Sequence, residues 1–451
     1  MEHAEHLFEI PYYAMVPFIL MLGSIAVLPL VAHEFWESNK NKLIISLVLG
    51  VPTAIWLLVN DMAIPLEHAM IFDYVPFLIL LGALFVITGG IHVAGHIASS
   101  PKVNTIILAI GAVLASLMGT TGAAMLLIRP IINTNEKRKF KVHTILFFIA
   151  IVANSGGLLT PLGDPPLFMM YLRGAPFEWF VGMWPEWLFV NGALLLMYFI
   201  WDTQKHKQEE AEDIAPEENP VPISIKGNLN FVWLLGVVAA VAFINPNYFD
   251  WILRPEVRNE MHLSFWSFDN LSSFAREGVI ALMAVLSLAL TSKQVRYYNR
   301  FEWEPIGEVA FLFLGIFATM VPVLVYLQAN AANFGFDSEI LFYYATGGLS
   351  AFLDNTPTAV TFHALAKGMD FSHLGDVSFV AHIPETFLHA ICLSSVLFGS
   401  LTYIGNGPNF MVKAIAESRN IKMPDFFAYM YKFSFIVLLP LFILVAIIFG
   451  I

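Results

Sequence analysis

The chain of 451 residues is 58% hydrophobic and only 13% charged, with a net charge of −12 and a mean hydropathy of +0.70. A soluble domain carries about 25% charged residues, so a soluble globular fold is excluded, as is a basic nucleic-acid-binding face. The composition predicts an all-α polytopic membrane protein.

In chain order, the acidic start, Met1 to His6, lacks the basic n-region of a signal peptide. The first apolar stretch, Pro11–Ala32, is therefore expected to be retained and, with Leu43–Asn60, to form N-terminal scaffold helices over 1–71. Residues 72–201 read as a first repeat. It comprises a helix at 74–94, a re-entrant hairpin over 102–132 with its tip near Gly119–Gly122, a broken helix through 154–166, and the apolar stretch Trp187–Ile200. His92 and His96 share a helical face, but the following Glu of a zinc-protease pattern and a third ligand are missing, so packing is favoured over metal binding. Residues 202–228 form an acidic cytoplasmic linker, its charge concentrated in Glu209–Glu218. Over 229–304, two connecting helices (Phe231–Ile244 and Gly278–Leu290) flank segment 246–275. That segment is rich in aromatics (Tyr248, Phe249, Trp251, Phe265, Trp266, Phe268), which suits an external interfacial loop.

Residues 305–451 read as a second repeat: a helix at 305–325, a hairpin over 337–368 with its tip at Asp354–Pro357, a broken helix through 401–409, and the apolar stretch Phe426–Gly450. Cys392 is the sole cysteine, so no intramolecular disulfide forms. The repeat rests on the broken helices. Residues 160–170 (TPLGDPPLFMM) return as 402–412 (TYIGNGPNFMV), with five of eleven positions identical. Gly, Pro, Asp and Asn inside apolar stretches free backbone polar groups, which lipid tolerates only where the break is buried in protein or lines a wet cavity. Paired interrupted segments point to a secondary transporter and its binding site.

With the N-terminus outside, the proposed cytoplasmic segments carry 15 Lys and Arg. The external ones carry 3 (Arg173, Arg254 and Arg258), as the positive-inside rule requires. Under this topology the two repeats run in opposite directions.

Two acids fall within the breaks, Asp164 and Asp354, and no Lys or Arg lies within either break to pair with them. A carboxylate at mid-membrane costs roughly 2.5–3.5 kcal/mol, so each must carry a proton or hold a cation. Helix capping is the plainer reading and is compatible with both. Thr120, Thr121, Asn154, Ser155, Thr160, Asn355, Thr356, Thr402, Asn406 and Asn409 add the neutral oxygens that a hard cation such as sodium prefers. Each of these is also a candidate for ordinary helix–helix hydrogen bonding. Glu308 and Glu385, each soon after a proline, suit a helix dipole. His363 and His389 are candidate proton relays. No phosphate loop or nucleophile elbow is present, which argues against an ATP-driven pump, and an intramembrane hydrolase using Asp164 and Asp354 is weakly supported because neither acid lies in a protease-type motif.

The stretches 154–166 (NSGGLLTPLGDPP) and 350–358 (SAFLDNTPT) resemble the signatures of the ion-transporter superfamily. Within it they are similar to the NhaD-type sodium/proton antiporters and their citrate- and arsenite-transporter relatives. The resemblance covers about residues 72–450. It implies two inverted repeats, each with a re-entrant hairpin and a broken helix, and a homodimer with separate scaffold and transport regions. The family's hairpin-tip Asp-Asn corresponds to Asp354 and Asn355, and its Gly-Asp-Pro-Pro to Gly163–Pro166. Where relatives carry a second Asp-Asn, this chain has Gly119 and Thr120, which reduces the acids at the hairpin tips.

The expected function is exchange of sodium or lithium for protons, with Asp164 and Asp354 alternating between cation and proton in a bacterial inner membrane. Sodium and protons are cargo, and no cofactor is expected. The alternative is sodium- or proton-coupled symport of citrate or another carboxylate or oxyanion, held by hairpin-tip amides and half-helix N-termini.

Overall fold

The computed structural model describes residues 10–95, 98–210, 223–244 and 268–451. His96, most of the acidic run and residues 246–267 of the aromatic segment lie outside them. Among the described residues, eight helices are long and apolar enough to cross a membrane. The only strands there are two short pairs, His92–Ala94 with Ser224–Lys226 and Phe379–Val380 with Ile383–Pro384. The protein is an all-α polytopic membrane protein.

Helices α1 (Val16–Val31) and α2 (Asn39–Val59) come first. The span Ala63–Thr88 follows, passing through a π-helical stretch at His68–Tyr74 into α3 (Val75–Thr88). Two helices, α4 (Pro101–Met118) and α5 (Thr120–Thr134), then form the first hairpin, turning at Gly119. Its φ of +80° suits glycine, which lacks the Cβ that penalises that region. A broken helix follows: α6 (Val142–Ile151), an irregular stretch with a 3-10 turn at Ser155–Leu159, and α7 (Pro165–Leu172). The long α8 (Trp184–His206) closes the first half, and α9 (Leu229–Phe243) and α10 (Phe268–Leu290) connect the halves. The order then recurs. Helix α11 (Glu304–Ala329) leads into a hairpin of α12 (Glu339–Ser350) and α13 (Asn355–Lys367). The second broken helix is α14 (Glu385–Phe398) and α15 (Gly407–Ser418), and α16 (Phe426–Phe449) ends the chain.

One hydrophobic core runs through both halves. Helix α2 lies along α11 with small residues at the contact, Ser46 against Gly315 and Gly50 against Ala318, as close membrane helices require. Glu308 does more than face a helix dipole: it pairs with the buried Lys42 at 2.8 Å.

Two boundaries differ from the sequence reading. The helix expected at 74–94 ends at Thr88, and His92 is in a strand, not on a helical face. Its last carbonyls are taken by side chains from elsewhere: Val86 by Arg296 (2.8 Å), Gly89 by Asn299 (3.1 Å) and Gly90 by Asn230 (2.9 Å). These donors satisfy the orphan groups of a helix end, so the chain can stop turning at Gly89-Gly90. The linker expected from 202 begins as helix through His206, and Asp202 is fully buried rather than solvated. Its carboxylate meets Arg138 (Nη2, 2.6 Å), His143 (Nε2, 2.8 Å) and Asn104 (Nδ2, 3.3 Å). Arg138 also reaches Glu209 at 3.3 Å. This ion network ties the base of the first hairpin and the start of α6 to the end of α8.

Candidate functional site

Each broken helix leaves carbonyls without helical partners, and neighbouring side chains supply the donors. In the first break, Asn154 donates to Ile149 O (2.8 Å), Ser155 to Ala150 O (2.9 Å) and Trp187 Nε1 to Gly156 O (3.0 Å), while Thr160 Oγ1 donates to Ser116 O. In the second, Asn409 donates to Gly399 O (2.8 Å) and Thr402 O (2.9 Å). Tyr429 donates to Ser400 O (2.7 Å), Ser434 to Leu401 O (2.7 Å), and Thr402 Oγ1 to Ala351 O. Each break is thus fastened to the hairpin before it (Ser116, Ala351) and the long helix after it (Trp187; Tyr429, Ser434). Irregular backbone at membrane depth is stable only under such satisfaction.

The chain also passes very close to itself. A Cβ on Gly163 would lie 1.9 Å from the Gly157 carbonyl oxygen. Gly163→Ala is therefore expected to cost about 1–3 kcal/mol or more through forced backbone movement, read as a lower unfolding temperature in lipid nanodiscs. An unchanged unfolding temperature would mean that the loop opens freely.

Asp164 and Asn406 occupy equivalent positions. Both have extended backbone (φ −143° and −149°), and both immediately precede a half-helix carrying proline in its first turn. Neither side chain caps its own helix. Instead the two meet: Asn406 Nδ2 donates to Asp164 Oδ1 at 3.3 Å. The same oxygen accepts from Thr120 Oγ1 at 2.8 Å, and Oδ2 accepts from Asn355 Nδ2 at 2.5 Å. Thr120 opens the inner leg of the first hairpin and Asn355 opens that of the second. Both hairpin tips and both breaks therefore converge on one carboxyl, which is 1% exposed. Every side chain bonded to it is neutral.

A shell of amides surrounds this centre. Asn406 also donates to Asn154 Oδ1 (3.2 Å), and Asn154 donates to Asn409 Oδ1 (2.7 Å). Thr356 Oγ1 donates to Asn355 Oδ1 (3.4 Å), leaving the Asn355 amine for Asp164. Of the residues singled out from sequence, Asp164, Thr120, Asn154, Asn355, Thr356, Asn406 and Asn409 thus form one connected cluster. Asp354 stands beside it. It is half-buried, and its carboxylate accepts from the Thr356 amide at 3.0 Å as the N-cap of α13. Ser155, Thr160 and Thr402 hold backbone, and Thr121 is half-buried outside the partners of Asp164. His363 is bonded to the Ala381 carbonyl (2.8 Å) and His389 to Glu186 (3.2 Å), both away from the cluster.

Sequence reasoning missed Asn191, whose Oδ1 receives Ser155 at 2.8 Å, and Ser116. A lone asparagine in the apolar run 187–200 was a readable signal for the first. Ser116 holds the break through its carbonyl, which accepts from Thr160, and through its hydroxyl, which donates to Gly156 O (2.5 Å) and accepts from the Leu159 amide (3.3 Å). A serine within the apolar leg of the first hairpin was the signal for it.

A buried carboxyl among neutral donors can release a proton or accept a cation, whereas an anion would meet its charge unopposed. No group of three or more His, Cys, Asp or Glu able to hold a metal ion occurs among the described residues. No curated protein matches the chain. The family described as "Putative citrate transport" matches residues 7–450. Because that match runs over nearly the whole chain, the protein belongs to this family of membrane transporters.

Proposed function

We propose that the protein is a secondary transporter in which Asp164 alternates between a proton and a sodium or lithium ion, exchanging one for the other across the membrane. The observation that carries this reading is the burial of Asp164 among Thr120, Asn355 and Asn406, with no basic partner among the described residues. A bare carboxylate there is costly, so the site favours whichever cation is abundant on the side to which it opens. Asp354, next to Asn355 at the second hairpin tip, supplies the second carboxyl. We take the two halves as inverted repeats, a reading supported by the recurring order of helix, hairpin and broken helix; with their tips and breaks near the midplane, rigid displacement would give the site access to either side. The charge asymmetry of the loops supports an external N-terminus, and a homodimer would supply the static scaffold.

Coupled uptake of citrate or a similar carboxylate is the second reading, favoured by the family description and by the four amides of Asn154, Asn355, Asn406 and Asn409. In that case Asp164 holds the coupling ion. Purified protein in liposomes containing a pH-sensitive dye distinguishes the two. Exchange predicts proton movement on adding sodium with no organic anion present. Proton or sodium flux that appears only with citrate would replace exchange by symport.

A further inference from the structure

Away from Asp164, a cavity of about 680 Å³ opens between the two halves of the chain. Trp179 and Met183, between α7 and α8, form one wall; Ser378, Glu385, Thr386 and His389, before and within α14, form the other. Glu385 begins α14, about 20 Å along the helix axis from the break at Gly399. The cavity is therefore a separate place, not an extension of the carboxyl cluster.

Its charge is one-sided. Glu385 accepts from the Trp179 indole N–H (2.9 Å) and from the Ser378 hydroxyl, both neutral, and no cation among the described residues pairs with it. His389 lines the cavity, and behind it stands Glu186, Oε1 lying 3.2 Å from His389 Nε2. The Glu186 residue is 7% exposed, and its other carboxylate oxygen is buried without a hydrogen-bond partner. In the neutral tautomer that directs Nε2–H at Glu186, Nδ1 carries a lone pair and accepts from an N–H donor. Thr386 is held by a third acid, Glu339, at 2.8 Å. Among the described residues, no Lys or Arg lines the cavity.

The lining is not that of an inorganic ion site. Trp179, Met183 and Val377 make much of the wall apolar, and the volume falls in the range of pockets that enclose organic ligands, about 300–1,000 Å³. An indole face also attracts cations. Acceptors with unbalanced negative charge beside an aromatic and a thioether fit a cation with an apolar body.

We propose that this cavity binds an organic ammonium ion, its N–H groups directed at Glu385 and the His389–Glu186 pair and its apolar part against Trp179 and Met183. Because the walls come from different halves, an occupant bridges them. It would oppose any displacement that separates residues 179–186 from 378–389, and so slow transport.

The test is calorimetric titration of the full-length protein in nanodiscs with phenethylammonium and with its neutral counterpart 2-phenylethanol. The ammonium ion is expected to bind saturably and the alcohol about tenfold or more weaker, as the loss of charge-assisted hydrogen bonds implies. Glu385→Gln keeps an acceptor for Trp179 and should weaken the ammonium ion by a similar factor; Glu186→Gln should do so as well. Asp164→Asn should bind it like the unaltered protein, which keeps this result separate from the transport reading. Equal affinity for the alcohol, absence of ammonium binding, or unchanged binding by both Gln variants would each overturn the proposal. So would displacement of the ammonium ion by sodium but not by potassium at equal ionic strength, which would mark an inorganic cation site.

Discussion

Asp164→Asn is expected to reduce cation-driven proton movement in liposomes to the level of protein-free vesicles while leaving the protein folded. The amide is the same size as the carboxyl and keeps one oxygen for the donors now served by two. Its amino group, however, is placed against another donor from Thr120, Asn406 or Asn355. The lost hydrogen bonding costs about 1–3 kcal/mol, small enough for the variant to be purified and its unfolding temperature measured. What disappears is the ability to take up a proton or to neutralise a cation. Asp354→Asn is the companion measurement. Asparagine caps helices as well as aspartate, so the N-terminus of α13 survives, and any fall in transport reports the charge alone. The expected order is abolition at 164 and partial loss at 354. Normal flux in Asp164→Asn would remove the carboxyl from the mechanism.

The largest effect on stability is expected at Arg138. Its guanidinium is fully buried and faces Asp202 at 2.6 and 3.0 Å and Glu209 at 3.3 Å. Arg138→Met leaves two acids without their cation, and removing one partner of a buried ion pair costs about 3–5 kcal/mol. Asp202→Asn should destabilise less, because the amide still accepts from Arg138 and His143. Combining the two substitutions should recover part of the loss, since the unpaired charge at 202 is then gone. Chemical unfolding in micelles measures all three. A single Arg138→Met variant within about 1 kcal/mol of the unaltered protein, an ordinary surface effect, would show that the network contributes little.

These two cases also show what the sequence made legible. Asp164 stood out because a charge beside Gly163 and Pro165 inside an apolar stretch has few physical explanations, and the companion break at Asn406 repeated its pattern. Arg138 did not stand out. In a basic loop on the side that the positive-inside rule favours, it reads as solvated, and its partners Asp202 and Glu209 lie more than sixty residues away. Asn355 was legible as a polar hairpin tip, but its direct bond to Asp164 depends on how the halves meet, which no local pattern encodes. The end of α3 at Thr88 was missed because Gly89-Gly90 was outweighed by continuing hydropathy. What stops the helix is the trio Asn230, Arg296 and Asn299, supplied from far along the chain.

The amides around Asp164 are two-faced. Asn355 and Asn406 now present their amino groups to the carboxylate, an arrangement suited to negative charge and hostile to a metal ion. Half a revolution about the terminal torsion would present their carbonyl oxygens instead, an arrangement suited to sodium. Under the proposed exchange, loading a metal ion would be inseparable from turning these side chains over, and Asn406 would have to give up the Ala153 carbonyl (3.1 Å) and Asn154 Oδ1 (3.2 Å). Selectivity would be set by the energy of reorienting a rigidly packed amide, and not by the diameter of a preformed hole.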